Sequence, residues 1–190
     1  MPVTQRAVVA IAGADRAGPM VVELAREVGR SVIARGFNLL CGGTGALVQA
    51  ACEGAQDEKT NLKRRGKFVG DPPFVMGLLA GSSKQGATVE LDIALCTGLG
   101  IAVHTVACAS ADALIALEGG ANTLSHVALA WQLGKPIVLI APTGSVLESL
   151  VGERLDSNRT DMIMTADSAE RAVEMIAERL ATVTTGKPRR

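Results

Sequence analysis

Two rhythms follow one another along this chain. Short continuous apolar runs, of the kind a strand buried on both faces requires, are each followed by a stretch with apolar residues at i, i+3 and i+4. Arg6–Ala12 is such a run and ends at Gly13. Pro19–Arg35 then reads as a helix, with Val21, Leu24, Ala25, Val28 and Val32 on one face and Gly36 as its stop. Phe37–Cys41 predicts a second strand and Thr44–Gln56 a second helix. Phe74–Leu79 and Val89–Leu95 read as strands, followed by a helix over about Leu99–Ser110. Asp112–Leu117, Asn122–Leu133 and Pro136–Ala141 continue as strand, helix and strand. A helix at Ser145–Arg154, a strand at Asp161–Met164 and a helix at Ala166–Ala181 close the pattern, the last with a capping box at Asp167 and Glu170. The repeat predicts an α/β fold: an open parallel sheet of about seven strands with helices on both faces. One domain over residues 1–183 and a frayed tail at 184–190 are expected. The rhythm is interrupted at 58–73, where Lys59, Lys63, Arg64, Arg65 and Lys67 precede Asp71-Pro72-Pro73. That stretch reads as a solvated basic loop insertion, or as a basic lid over an anionic ligand.

Composition narrows the picture. Of 190 residues, 48% are hydrophobic but only 2% aromatic, so the core is aliphatic. Nineteen basic and 19 acidic residues balance to +0, and with so few aromatics neither an electrostatic nor a stacking surface for nucleic acid is expected. No apolar run reaches the ~20 residues that span a bilayer, and no signal peptide is visible. Cys41, Cys52, Cys96 and Cys108 are spread without metal-ligand spacing, so no metal site is expected. A cytoplasmic protein with reduced thiols follows. Cys41, beside a glycine pair, reads as a small core hydrophobe or a reactive thiol.

The chemistry is concentrated in two glycine turns, each at a strand-to-helix junction. Gly42, Gly43, Thr44 and Gly45 form the first, and Gly119, Gly120, Asn122 and Thr123 belong to the second. Such turns let the backbone approach a ligand, and the following helix offers free N–H groups to an anion. In a parallel sheet both fall at the carboxyl edge, where ligands bind. Thr97 and Gly98 supply a third turn on that edge. Lys84 is a candidate mobile cation or a plain surface lysine. A carboxylate about 4 Å from a phosphate would cost about 4 kcal/mol at an effective dielectric of 20, so Glu118 is expected to point away from the pocket. Asn122 reads as an N-cap.

These blocks, in this order, resemble the Rossmann-like proteins related to the Lonely Guy phosphoribohydrolases, long mislabelled lysine decarboxylases. Cys41-Gly-Gly-Thr-Gly-Ala-Leu47 with Gly54-Ala55 is similar to the family's first turn. Leu91–Gly100, ending Thr-Gly-Leu-Gly, is similar to the branch of molybdenum-cofactor carrier proteins. Ala111–Ala130 followed by Gly134-Lys135-Pro136 is similar to the signature segment. The resemblance spans about Ala7 to Leu180. It implies a phosphorylated small-molecule ligand, either a nucleoside monophosphate or a molybdopterin-type compound, and homodimers or homotetramers. The helix Asn122–Leu133, with Trp131, is a candidate interface or part of a monomer core.

The departures bear on function. Where the hydrolytic members carry a catalytic Glu this chain has His126, and their Arg aligns with Val103-His104. N-glycosidic cleavage builds positive charge on the ribose. A carboxylate stabilises that charge and a protonated imidazole opposes it, a mismatch worth at least ~10²-fold in rate. His104 and His126 are the candidate catalytic residues, as a shared acid–base pair, or else ordinary helix residues. Three readings stand: a non-catalytic binding or carrier protein, a phosphoribohydrolase with altered catalytic groups, and a structural or regulatory protein with a vestigial pocket.

Overall fold

The apolar runs assemble into one seven-stranded sheet, parallel throughout, in the order β4-β3-β2-β1-β5-β6-β7. The computed structural model describes residues 6–14, 17–66, 71–140 and 145–184. Its strands are β1 (Val8–Ala12), β2 (Asn38–Cys41), β3 (Val75–Leu79), β4 (Ile93–Cys96), β5 (Ala113–Ala116), β6 (Ile137–Ile140) and β7 (Met164–Ala166). The helices are α1 (Pro19–Ala34), α2 (Ala46–Arg64), α3 (Val103–Ser110), α4 (Ala121–Gln132) and α5 (Ala169–Thr184). The chain lays β1 to β4 outward on one side, then returns to place β5 against the free side of β1. Ala10 is thus opposite Leu40 on one side and Leu114 on the other. The order reverses at β1, and a crevice opens there at the carboxyl edge.

Successive strand residues point to opposite faces and feed two cores. Val9, Ile11, Leu39, Cys41, Ala113 and Ile115 pack against α1, α2 and α5. Ala10, Ala12, Leu40, Leu114 and Ala116 pack against α3 and α4. On the first face α1 and α2 meet backbone to backbone. A Cβ on Gly29 would stand 1.8 Å from the carbonyl oxygen of Ala51, and one on Gly54 would stand 2.0 Å from that of Arg26. Only two glycines allow that crossing, which Arg26 and Glu53 then tie with a 2.6 Å ion pair.

On the second face Trp131 is buried in the monomer, 2% exposed, so it belongs to the core and not to an exposed interface. The Arg159 guanidinium lies over its ring at 4.3 Å and donates to the carbonyls of Trp131 and Lys135. The buried Lys135 ammonium donates to the carbonyls of Ala109 and Ala111 at the end of α3, where positive charge suits the helix dipole.

Several expected boundaries move, each for a local reason. The basic stretch expected as a loop from residue 58 is helical through Arg64. Leu62 packs on the core, and the Lys59 ammonium is drawn to Asp92 at 2.6 Å, so Lys59 is not part of a lid. Residues 67–70 of that stretch lie outside the described residues. The strand expected at Val89–Leu95 begins at Ile93, because the Asp92 carboxylate itself takes the Val75 N–H. The helix expected at Ser145–Arg154 is a 3-10 turn, Val146–Leu150. It stops because Gly152 (φ +70°) donates to Ile163 while Ile163 donates to Glu153. That exchange also delays the last strand, expected at Asp161–Met164, to Met164–Ala166. The expected cap at Asp167 is replaced by Ser168, whose hydroxyl accepts from the Arg171 N–H.

Candidate functional site

The crevice at the order reversal deepens into a cavity of about 220 Å³ over the carboxyl ends of β1, β2 and β3, walled by α3 and α4. Its floor is made of small residues, among them Ala10, Ala12, Gly13 and Ala80. These were not singled out in the sequence, where alanines in a strand carry no signal beyond burial. Its polar groups are Thr44, His104, Asn122 and His126. Among the described residues that line it there is no Asp, Glu, Lys or Arg.

The first glycine turn supplies Gly42 and Thr44 to the wall. The chain can leave β2 this sharply because Gly43 (φ +77°) and Gly45 (φ +96°) take left-handed backbone that other residues resist. Gly43 itself is buried against Leu79, and Gly45 faces a separate groove shared with Gln49 and Glu90. At the second turn, α4 starts one residue earlier than expected. Gly120 is its N-cap and Ala121 its first residue, so Asn122 is not the cap. Asn122 lies inside the first turn and lines the cavity. Gly119 is required by contact. A Cβ there would stand 1.9 Å from Thr123 Oγ1, a hydroxyl that is buried and has no hydrogen-bond partner.

Gly119, Gly120 and Thr123 are not lining residues, nor are Thr97, Gly98, Lys84 and Glu118, whereas Cys41 lines the cavity at the end of β2. Thr97 spends its N–H and hydroxyl on the Leu79 carbonyl at 3.0 and 2.8 Å. Gly98 donates to the Gly81 carbonyl, so both close the loop between β3 and β4. Lys84 is exposed, in the loop after β3. Glu118 is half-buried and is not a cavity-lining residue. Its carbonyl accepts the Ala14 N–H at 2.7 Å and joins the ends of β1 and β5. Cys41 is buried, donates to the Met76 carbonyl, and stands 3.7 Å from Cys52. The Cys52 thiol is pushed up by its hydrogen bond with Cys41 and by burial.

The two histidines come together. Their rings stack with centroids 4.1 Å apart at 36°. The Ser125 hydroxyl donates to the Asn122 carbonyl at 2.7 Å, so its oxygen accepts from His104 Nδ1–H at 3.2 Å. His126 Nδ1–H donates to the same Asn122 carbonyl at 3.0 Å. Both rings therefore carry a proton at Nδ1, which leaves Nε2 as the site that gains or loses the second proton. Burial, opposed in part by the Asn122 carbonyl, lowers the pKa of His126, and the charge of His104 lowers it further. Cys108, which donates to the His126 carbonyl, is pushed up to about 11 by burial.

A parallel sheet whose strand order reverses over a cavity beside two glycine turns defines a Rossmann-like α/β protein. The chain belongs to the SLOG cluster4 family, which matches residues 6–173. It is similar in structure to the molybdenum cofactor binding protein from Rippkaea orientalis (TM-score 0.75, 26% identity, 93% of this chain and 99% of that one). The molybdenum cofactor carrier protein from Chlamydomonas reinhardtii shares the fold (TM-score 0.73, 24% identity, 93% and 99%). An uncharacterised protein of Archaeoglobus fulgidus is 28% identical over 134 residues, 70% of this chain and 80% of that one. The resemblance to the Lonely Guy-related superfamily, on its carrier-like side, thus holds. No helix among the described residues is long and apolar enough to cross a membrane.

Proposed function

We propose that this protein binds a phosphorylated pterin- or nucleotide-type molecule without transforming it, as a carrier or reservoir. The observation that carries this reading is the absence of any carboxylate among the described residues lining the cavity, with His126 where the hydrolytic members of the superfamily use Glu. A pocket of neutral walls, glycine turns and imidazoles can hold an anion but offers no group to stabilise a positive ribose. Anion binding is supported by the N-terminus of α4, a helix of 12 residues whose first turn brings Asn122 to the cavity wall. The relative from Rippkaea orientalis, by its name a molybdenum cofactor binding protein, favours a molybdopterin-type ligand.

Native mass spectrometry of protein purified gently from its own host tests this. The expected result is an adduct with the mass of a pterin or nucleotide, and no adenine released when AMP is added. A spectrum that stays bare after adding AMP and molybdopterin would overturn the binding reading. Release of adenine that is lost in His126→Ala would replace it with the hydrolase. We further propose that the chain is a homodimer or homotetramer, in keeping with the resemblance.

A further inference from the structure

We infer that His104 and His126 are the switchable positive charge of this cavity, sharing a single proton that is taken up from solvent as a phosphate-type anion enters. The inference rests on the binding reading above and adds the means by which the pocket balances the anion's charge.

The geometry limits the pair to one proton. Two imidazolium rings with centroids 4.1 Å apart would repel at short range inside a partly buried site. Both Nδ1 positions already donate, to the Ser125 hydroxyl and the Asn122 carbonyl, so an added proton goes to Nε2 of one ring or the other. Both hydrogen bonds run to the same turn of α4. They hold the rings side by side and leave their Nε2 edges as the free ones.

Among the described residues that line the cavity there is no fixed charge, and the nearby Glu118 is not one of them. From α3 the titratable neighbour is Cys108, a thiol held neutral by burial, and from β2 it is Cys41, which donates to Met76. β1 and β3 contribute Ala10, Ala12 and Leu78, and the first glycine turn contributes Thr44. The charge that acts on His126 is that of His104. With no Lys or Arg among the described lining residues, an anion in the cavity has only these rings to supply positive charge, and burial disfavours that charge on His126 while the pocket is empty. An anion beside the rings reverses the balance, because it stabilises the imidazolium that burial disfavours.

The sign of the pH dependence follows. The pKa of His126 lies below the ordinary histidine value in the free protein, through burial, and rises in the complex. Between those two values affinity falls about tenfold for each pH unit gained, with one proton bound per ligand. Isothermal titration calorimetry with AMP as probe, in buffers of different ionisation enthalpy between pH 6 and 8, reads this directly. The expected result is a heat that scales with buffer ionisation enthalpy, rising to one proton per AMP. In the double variant His104→Asn/His126→Asn the amide nitrogens reproduce both Nδ1 donors but offer no Nε2. That variant should keep its fold by circular dichroism and bind AMP with no proton uptake beyond that of the AMP phosphate itself. Binding by the wild type with buffer-independent heat, or uptake that persists in the double variant, would overturn the inference and leave the binding reading intact. Failure of AMP to bind at any pH, while molybdopterin binds without a pH dependence, would also overturn it. Failure of both ligands at every pH would remove both readings together.

Discussion

At the scale of single residues, Thr123 separates stability from function. A buried hydroxyl without a partner is a cost in the empty protein, so Thr123→Val is expected to leave the melting temperature unchanged or to raise stability by up to about 1 kcal/mol. Thr123 does not line the cavity, so the same change should leave AMP affinity within about twofold, less than the worth of one hydrogen bond. Thermal denaturation and calorimetry on Thr123→Val check both halves, and a loss of AMP affinity of about tenfold would place the hydroxyl at the ligand. A melting temperature several degrees lower in Thr123→Val would assign the residue to the fold. Of the expected residues Gly42, Thr44, Asn122, His104 and His126 do line one cavity, since glycine turns at strand ends bring their neighbours to the carboxyl edge of the sheet. Thr97 and Gly98 were not separable from them. A Thr-Gly turn that closes a loop on Leu79 and Gly81 looks the same in sequence as one that holds a ligand. The alanine floor was invisible for a different reason, since smallness matters there only through what it leaves empty.

Among the elements, the crossing of α1 and α2 is the most demanding packing in the molecule. Alanine is the better helix former by about 1 kcal/mol, yet Gly54→Ala is expected to destabilise by about 1–3 kcal/mol because its Cβ would meet the Arg26 carbonyl. Gly29→Ala should do the same against Ala51. Urea denaturation measures both, and a gain in stability at either site would show that the helices can part without loss. Strands buried on both faces were read within one or two residues, since continuous apolar runs have one simple explanation in a parallel sheet. The misread elements share a cause. The end of α2 is held by Leu62 and by the pull of Asp92 on Lys59, a partner 33 residues away. The truncation of the Ser145–Arg154 helix depends on the backbone exchange between residues 152–153 and Ile163. Neither can be seen in a local window.

For the whole molecule, burial of Trp131 moves attention to the other end of the sheet. Leu95 (51% exposed), Leu99 (49%) and Ile101 (77%) follow one another from the edge strand β4 into α3, an apolar run that a lone subunit leaves to water. Ile101→Glu is therefore expected to lower the subunit number, measured by light scattering after size exclusion, with the circular dichroism spectrum unchanged. An unchanged assembly would place the contact elsewhere. The strand order carries one more consequence. β1 ends at Ala12, but its second neighbour, β5, begins only at Ala113, and α4, which completes the cavity wall, ends at Gln132. On the ribosome, then, the first strands and α1 and α2 can pair while one side of β1 stays bare. The cavity has no complete wall until α4 has emerged. A nascent chain stopped short of α4 offers an apolar strand edge, not a pocket, and its protection until then falls to the translating machinery and its chaperones.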